Sequence, residues 1–142
     1  MNNFLFTLLV LMMMCGDALS QQTVSARITN FNNDKGVCRA CIFDNATAFK
    51  GKGKAIQCVS VVISGKSATA TFSKIPDGTY AISLFHDANN NNKFDTNFFG
   101  IPKEGYGASG NNLPFAAAPT FSGNKFEIKG KGLNLSIRLR YL

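Results

Sequence analysis

Nine residues near the C-terminus, Leu133 to Tyr141 (LNLSIRLRY), alternate apolar and polar side chains without a slip. Leu133, Leu135, Ile137, Leu139 and Tyr141 fall on one side; Asn134, Ser136, Arg138 and Arg140 fall on the other. A period of two is that of a β-strand, here one with a dry face and a wet face. The same period recurs upstream. Val24, Ala26 and Ile28 alternate with polar residues, and so do Ala68, Ala70 and Phe72 within Ser67–Ile75. Val37–Phe43, Ala55–Ile63, Thr79–Phe85 and Phe126–Ile128 are short extended runs rich in β-branched and aromatic residues. Turn clusters separate them: Asn32–Gly36, Ser64–Lys66 and Pro76-Asp77-Gly78, the last combining a preset proline φ with a permissive glycine. Asp44–Lys54 is a polar loop with one apolar anchor, Phe49. No segment of helical length carries a 3.6-residue period.

The expectation is an all-β fold, a single antiparallel β-sandwich of about seven strands. The absence of Trp and a cysteine spacing unlike that of antibody domains leave an immunoglobulin-like or a prealbumin-like arrangement equally open. The length, 142 residues with 45% hydrophobic, suits one domain with its own core. The first residues stand outside it. Phe4–Cys15 (FLFTLLVLMMMC) is apolar apart from Thr7 and is too short to span a bilayer comfortably. Ala18 and Ser20 then have the small-residue spacing of a signal-peptidase site. Residues 1–20 therefore read as a secretory signal peptide and 21–142 as the exported domain, periplasmic or extracellular. Lipidation at Cys15 fits less well, because Met13 and Met14 stand where small residues belong.

Cleavage removes one acid, Asp17, and leaves 15 Lys+Arg against 7 Asp+Glu. The excess is dispersed; its one cluster, Lys50-Gly51-Lys52-Gly53-Lys54, has no interleaved aromatics and reads as a solvated loop rather than a nucleic-acid interface. Cys38, Cys41 and Cys58 remain. In an oxidising compartment they form one disulfide and leave one thiol. Cys38 and Cys41, three apart on a strand, point to opposite faces and do not pair with each other. Cys58 pairs with one of them, and the spacing does not choose which.

The most specialised stretch is His86–Gly107, HDANNNNKFDTNFFGIPKEGYG. Asp87, Asn89, Asn91, Lys93 and Asp95 occupy positions 1, 3, 5, 7 and 9 of the D-x-N-x-N-G-x-x-D calcium loop, with Lys93 offering its carbonyl. Asn92 stands at the usual glycine and tolerates the left-handed turn, and Phe98 replaces the bidentate acid at position 12. Glu104 replaces that acid only if the chain folds back. Calcium is therefore the candidate ion, bound at the weak end, about 10⁻⁴ to 10⁻³ M. The competing reading is a run of self-satisfied asparagine turns. His86, the single histidine, points away from Asp87 along a strand and does not form a dyad with it. Gly100–Gly107 fixes a backbone path on which Glu104 and Tyr106 contact a ligand or brace the loop. Ser109 lacks a G-x-S-x-G elbow.

The motif H-D-x-N-x-N-x-K-x-D-T-N-x-x-G-I-P-K-E-G-Y-G-x-S, preceded by Gly78-Thr79-Tyr80-Ala81-Ile82, resembles a bacterial exported family known only as domain of unknown function twenty-one forty-one. The resemblance spans about Ala26 to Tyr141. It implies a signal peptide and a small β-sandwich outside the cytoplasm, and it implies no activity, substrate or catalytic residue. The residues themselves favour a non-enzymatic module whose loop presents a surface to a glycan, a peptide or an envelope component. The alternatives are a hydrolase-like enzyme using His86, Asp87 and Glu104, and a purely structural envelope module.

Overall fold

The computed structural model describes residues 19–142, so the signal-peptide reading of 1–20 lies almost wholly outside the described residues. Eight strands form: β1 Gln21–Thr29, β2 Val37–Phe43, β3 Gln57–Val62, β4 Ser67–Pro76, β5 Gly78–Asp87, β6 Tyr106–Ala108, β7 Phe126–Ile128 and β8 Leu133–Arg138. A one-turn helix, α1 (Phe121–Asn124), precedes β7. The protein is mostly β and has two sheets.

One sheet runs β4-β1-β8 and the other β3-β2-β5-β6, with β7 also on β5. The alternating residues do what their period requires. Val24, Ala26, Ile28, Ala70, Phe72 and Ile137 from the first sheet are buried in one cluster with Cys38, Ala40, Ile42, Ile82 and Leu84 from the second. The wet partners Asn134, Ser136 and Arg138 stay exposed.

Two expectations change. The strands number eight rather than seven, because Tyr106–Ala108 pairs with β5. Three residues are too few to display a period, and this strand sits inside a glycine-rich stretch. The sheets are also not wholly antiparallel: β8 runs parallel to β1, Val24 opposite Leu133 through Thr29 opposite Arg138. A parallel neighbour needs a long crossover, and here the whole intervening chain supplies it.

Both sides of the fold are tied. Ser64 and Ser67 close a tight turn from β3 into β4. On the other side Tyr106 and Arg140 exchange both backbone hydrogen bonds, at 3.0 and 2.9 Å, joining β6 to the extension of β8. Capping an edge in this way removes unpaired N–H and C=O groups. β6 and β7 lie end to end along one side of β5, opposite Phe85–Ser83 and Tyr80–Gly78. The disulfide joins Cys41 to Cys58, which are direct partners in the β2–β3 register, and leaves Cys38 buried as a free thiol. Cys38 points inward and pairs by register with His86, so it never approaches Cys58.

Candidate functional site

β5 delivers His86 and Asp87 to opposite faces, as a strand must. His86 turns inward and is 2% exposed. Its Nε2 lies 2.7 Å from the Lys35 carbonyl, which only accepts, so Nε2 carries the proton. Nδ1 then accepts from the Tyr141 hydroxyl at 2.8 Å, and that hydroxyl accepts from Asn32 N–H at 3.1 Å. Phe31 packs edge-on against the ring. Both ring nitrogens are committed to structural bonds.

Asp87 turns outward along the strand yet is fully buried, because the loop closes over it. Arg39 on β2 stands diagonally across the sheet and donates Nε–H to Asp87 Oδ2 at 2.5 Å. The guanidinium also reaches Ser60 Oγ and Asn90 Oδ1, each at 2.9 Å. Asn91 N–H donates to Asp87 Oδ1 at 3.0 Å and Asn92 N–H to Oδ2 at 2.9 Å. Burial opposes ionisation of Asp87, but the Arg39 bond and the Asn92 and Asn91 amides outweigh it and hold the carboxyl below its ordinary value. Gly36 packs on the start of the loop: a Cβ there would lie 1.9 Å from the Asp87 carbonyl oxygen, and its φ of +65° already favours glycine.

Asn90 and Asn92 take left-handed backbone, at φ 55° and 62°. Asn92 thus makes the turn usually made by glycine. Asn89 and Asn91 donate their side-chain amides to Asp95 at 2.8–2.9 Å and hold its carboxyl below the ordinary value. Their side-chain oxygens accept from backbone N–H groups of Asn91 and Lys93. Lys93 itself is exposed.

Beyond Asp95 the chain folds back. Asn97 bonds Ile101, Lys103 N–H donates to the Asp95 carbonyl at 2.9 Å, and Thr96 bridges Pro102. The return brings Glu104 to Asp95, whose N–H donates to Glu104 Oε2 at 3.0 Å. Glu104 is 8% exposed, and its other oxygen, Oε1, is buried with no hydrogen-bond partner. Burial raises its pKa, and the Asp95 and Asp87 charges add to that against the pull of nearby amides. Among the described residues no three His, Cys, Asp or Glu side chains converge as a ready metal set.

The hairpin tip and the segment facing it carry apolar residues into solvent. Phe98, Phe99 and Phe115 are 96%, 82% and 89% exposed. Beside them a groove of about 810 Å³ runs between the tip and the Phe115–Pro119 segment, lined by Phe94, Phe99, Ile101, Tyr106, Phe115 and Leu142 among others and by no charged side chain. Tyr106, buried at its base, packs on Phe94. Ser109 lies elsewhere: its Oγ accepts from Ile82 N–H at 2.9 Å and donates to the Asn124 carbonyl at 2.5 Å, bridging the gap between β6 and β7. The structure thus gathers Asp87, Asn89, Asn91, Asp95 and Glu104 in one loop and sends His86 and Ser109 into separate packed networks.

Sequence reasoning missed Arg39, Tyr141 and the groove. Arg39 gives no signal in the sequence, because it lies diagonal to Asp87 only through the β2–β5 register. The groove had its signal in Phe98-Phe99 and Phe115, adjacent aromatics in segments with no strand pattern.

These features define a small two-sheet β-protein with an asparagine-rich, hydrogen-bonded loop that supports an exposed apolar groove. The chain belongs to the family described as "Uncharacterized protein conserved in bacteria (DUF2141)", matched over residues 26–136. Neither the curated proteins nor the solved structures compared with it match the chain. Among the described residues no helix is long and apolar enough to cross a membrane.

Proposed function

We propose that this is an exported, non-catalytic β-sandwich, immunoglobulin-like or prealbumin-like, that uses the groove beside the 94–106 hairpin to hold an apolar segment of an envelope polypeptide. One observation carries the reading. Large aromatic side chains stand in solvent around a groove with no charged side chain, Phe98 and Phe99 on a loop held by its own hydrogen bonds and Phe115 on the segment facing it. Contiguous exposed apolar surface of this kind marks interaction sites. The lack of charged lining favours an apolar peptide over a glycan. The enzymatic alternative is disfavoured because His86, Asp87 and Glu104 each bond different partners, so they offer no acid–base pair. Calcium belongs to the proposal as the loop's cofactor, with Asp95 a better ligand than the arginine-paired Asp87.

The test is selection from a displayed random-peptide library on the immobilised protein. Selected peptides should be rich in Leu, Phe and Ile, and Phe99→Ser with Phe115→Ser should weaken them by about tenfold or more. Selection of no peptide, or selected peptides indifferent to both substitutions, would sink the groove reading.

A further inference from the structure

A buried carboxylate oxygen without a partner is costly in either protonation state. Ionised, it has lost its hydration. Protonated, its O–H still finds no acceptor. Glu104 Oε1 is such an atom, while its sister Oε2 is engaged by Asp95 N–H. The Ala88 N–H close by donates to the His86 carbonyl at 3.0 Å. The fold-back that creates this arrangement is held at several points, by Lys103 N–H on Asp95 O and by the Thr96–Pro102 bridge, so Oε1 does not swing out easily.

We infer that Glu104 Oε1 and the Asp95 carboxylate anchor one hard divalent cation, calcium, at the base of the hairpin. With two carboxylates, the rest of the shell comes from amide and backbone oxygens and water. Such an irregular, protein-rich set of neutral oxygens suits calcium's flexible six- to eight-fold coordination better than magnesium, which dehydrates reluctantly and demands a near-ideal octahedron. Asn89 and Asn91 supply the amide oxygens. Their Nδ2 atoms now lie 2.8–2.9 Å from Asp95, and a half-turn of either terminal amide puts Oδ1 in that place, in exchange for the bond that Oδ1 now accepts from Asn91 N–H or Lys93 N–H. Asp87 is not a ligand here: both its oxygens are taken, and it serves as the clamp on which the loop is built. The inference deepens the calcium reading of the loop, and the apolar groove stands or falls without it.

The protein is purified after export with its own leader, and melting is followed in EGTA and in excess calcium. Terbium luminescence excited through tyrosine reports the site directly, with Tyr106 two residues from Glu104. At about ten times the dissociation constant, calcium should raise the melting temperature by roughly 3 to 6 °C. Calcium should also displace terbium. Glu104→Gln, nearly isosteric, should abolish both effects, and Asp95→Asn, on a partly exposed side chain, should do the same if the first variant folds poorly. Calcium protection that survives in both variants overturns the ligand assignment, and so does a wild-type protein with neither shift nor luminescence. Peptide capture in the same samples, unaltered in Glu104→Gln, keeps a failure of the cation site distinct from a failure of the groove.

Discussion

Asp87 shows how one side chain can hold a loop. It arrives at the end of a strand, faces outward, and is then sealed in by the asparagine run that it organises. Its charge is tolerable there because Arg39 comes with it. Removing one partner of a buried pair strands the other, so Arg39→Met should destabilise the fold by about 2–4 kcal/mol in chemical denaturation. The pair also sets an acid limit. The folded pKa of Asp87 lies below that of an ordinary aspartate, so its contribution is fully present above the ordinary value and is lost as pH falls through the folded pKa. Melting of the wild type should therefore fall toward acid more steeply than that of Arg39→Met. Much of this was legible in the residues. Period two placed His86 and Asp87 on opposite faces, and the asparagine spacing announced a ring of side-chain oxygens. The choice of partner was not legible, because Arg39 and Asp87 are distant in sequence and meet only through the β2–β5 register.

At the scale of elements, the least legible piece is the splice along β5. β6 and β7 are three residues each and show no usable pattern, yet together they cover one side of a ten-residue strand. The join falls at Ser109, whose hydroxyl takes the place of a backbone carbonyl for Ile82 N–H. Asn124 completes it by bonding Gly110, Asn112 and Thr120. Ser109→Ala leaves a buried N–H unpaired and should cost about 1–3 kcal/mol in denaturant unfolding. The long strands were read correctly because each buries one face against the shared core. The parallel β1–β8 pairing was not readable, since alternation reports which face is wet and says nothing of a neighbour's direction.

At the largest scale, the described residues form two sheets tied at both edges, with a hydrogen-bonded loop at one end carrying apolar side chains into solvent. The hydrogen bonds of that loop also govern how the protein ages. An asparagine deamidates when the backbone nitrogen that follows it attacks its side-chain carbonyl. In the run 89–92, each of those nitrogens is already a donor: Asn90 to the Asp87 carbonyl, Asn91 and Asn92 to the Asp87 carboxylate, and Lys93 to Asn91 Oδ1. Each attack must first break a bond, and three of the four bonds end on Asp87. On storage at neutral pH the native run should deamidate more slowly than the same segment as a free peptide, read by mass spectrometry. Asp87→Ala, which removes the carboxylate and keeps the backbone carbonyl, should erase the protection of Asn90 and Asn91, whose following nitrogens end on that carboxylate, even in protein that stays folded. The aspartate that shapes the loop thus also sets the chemical lifetime of the asparagines around it.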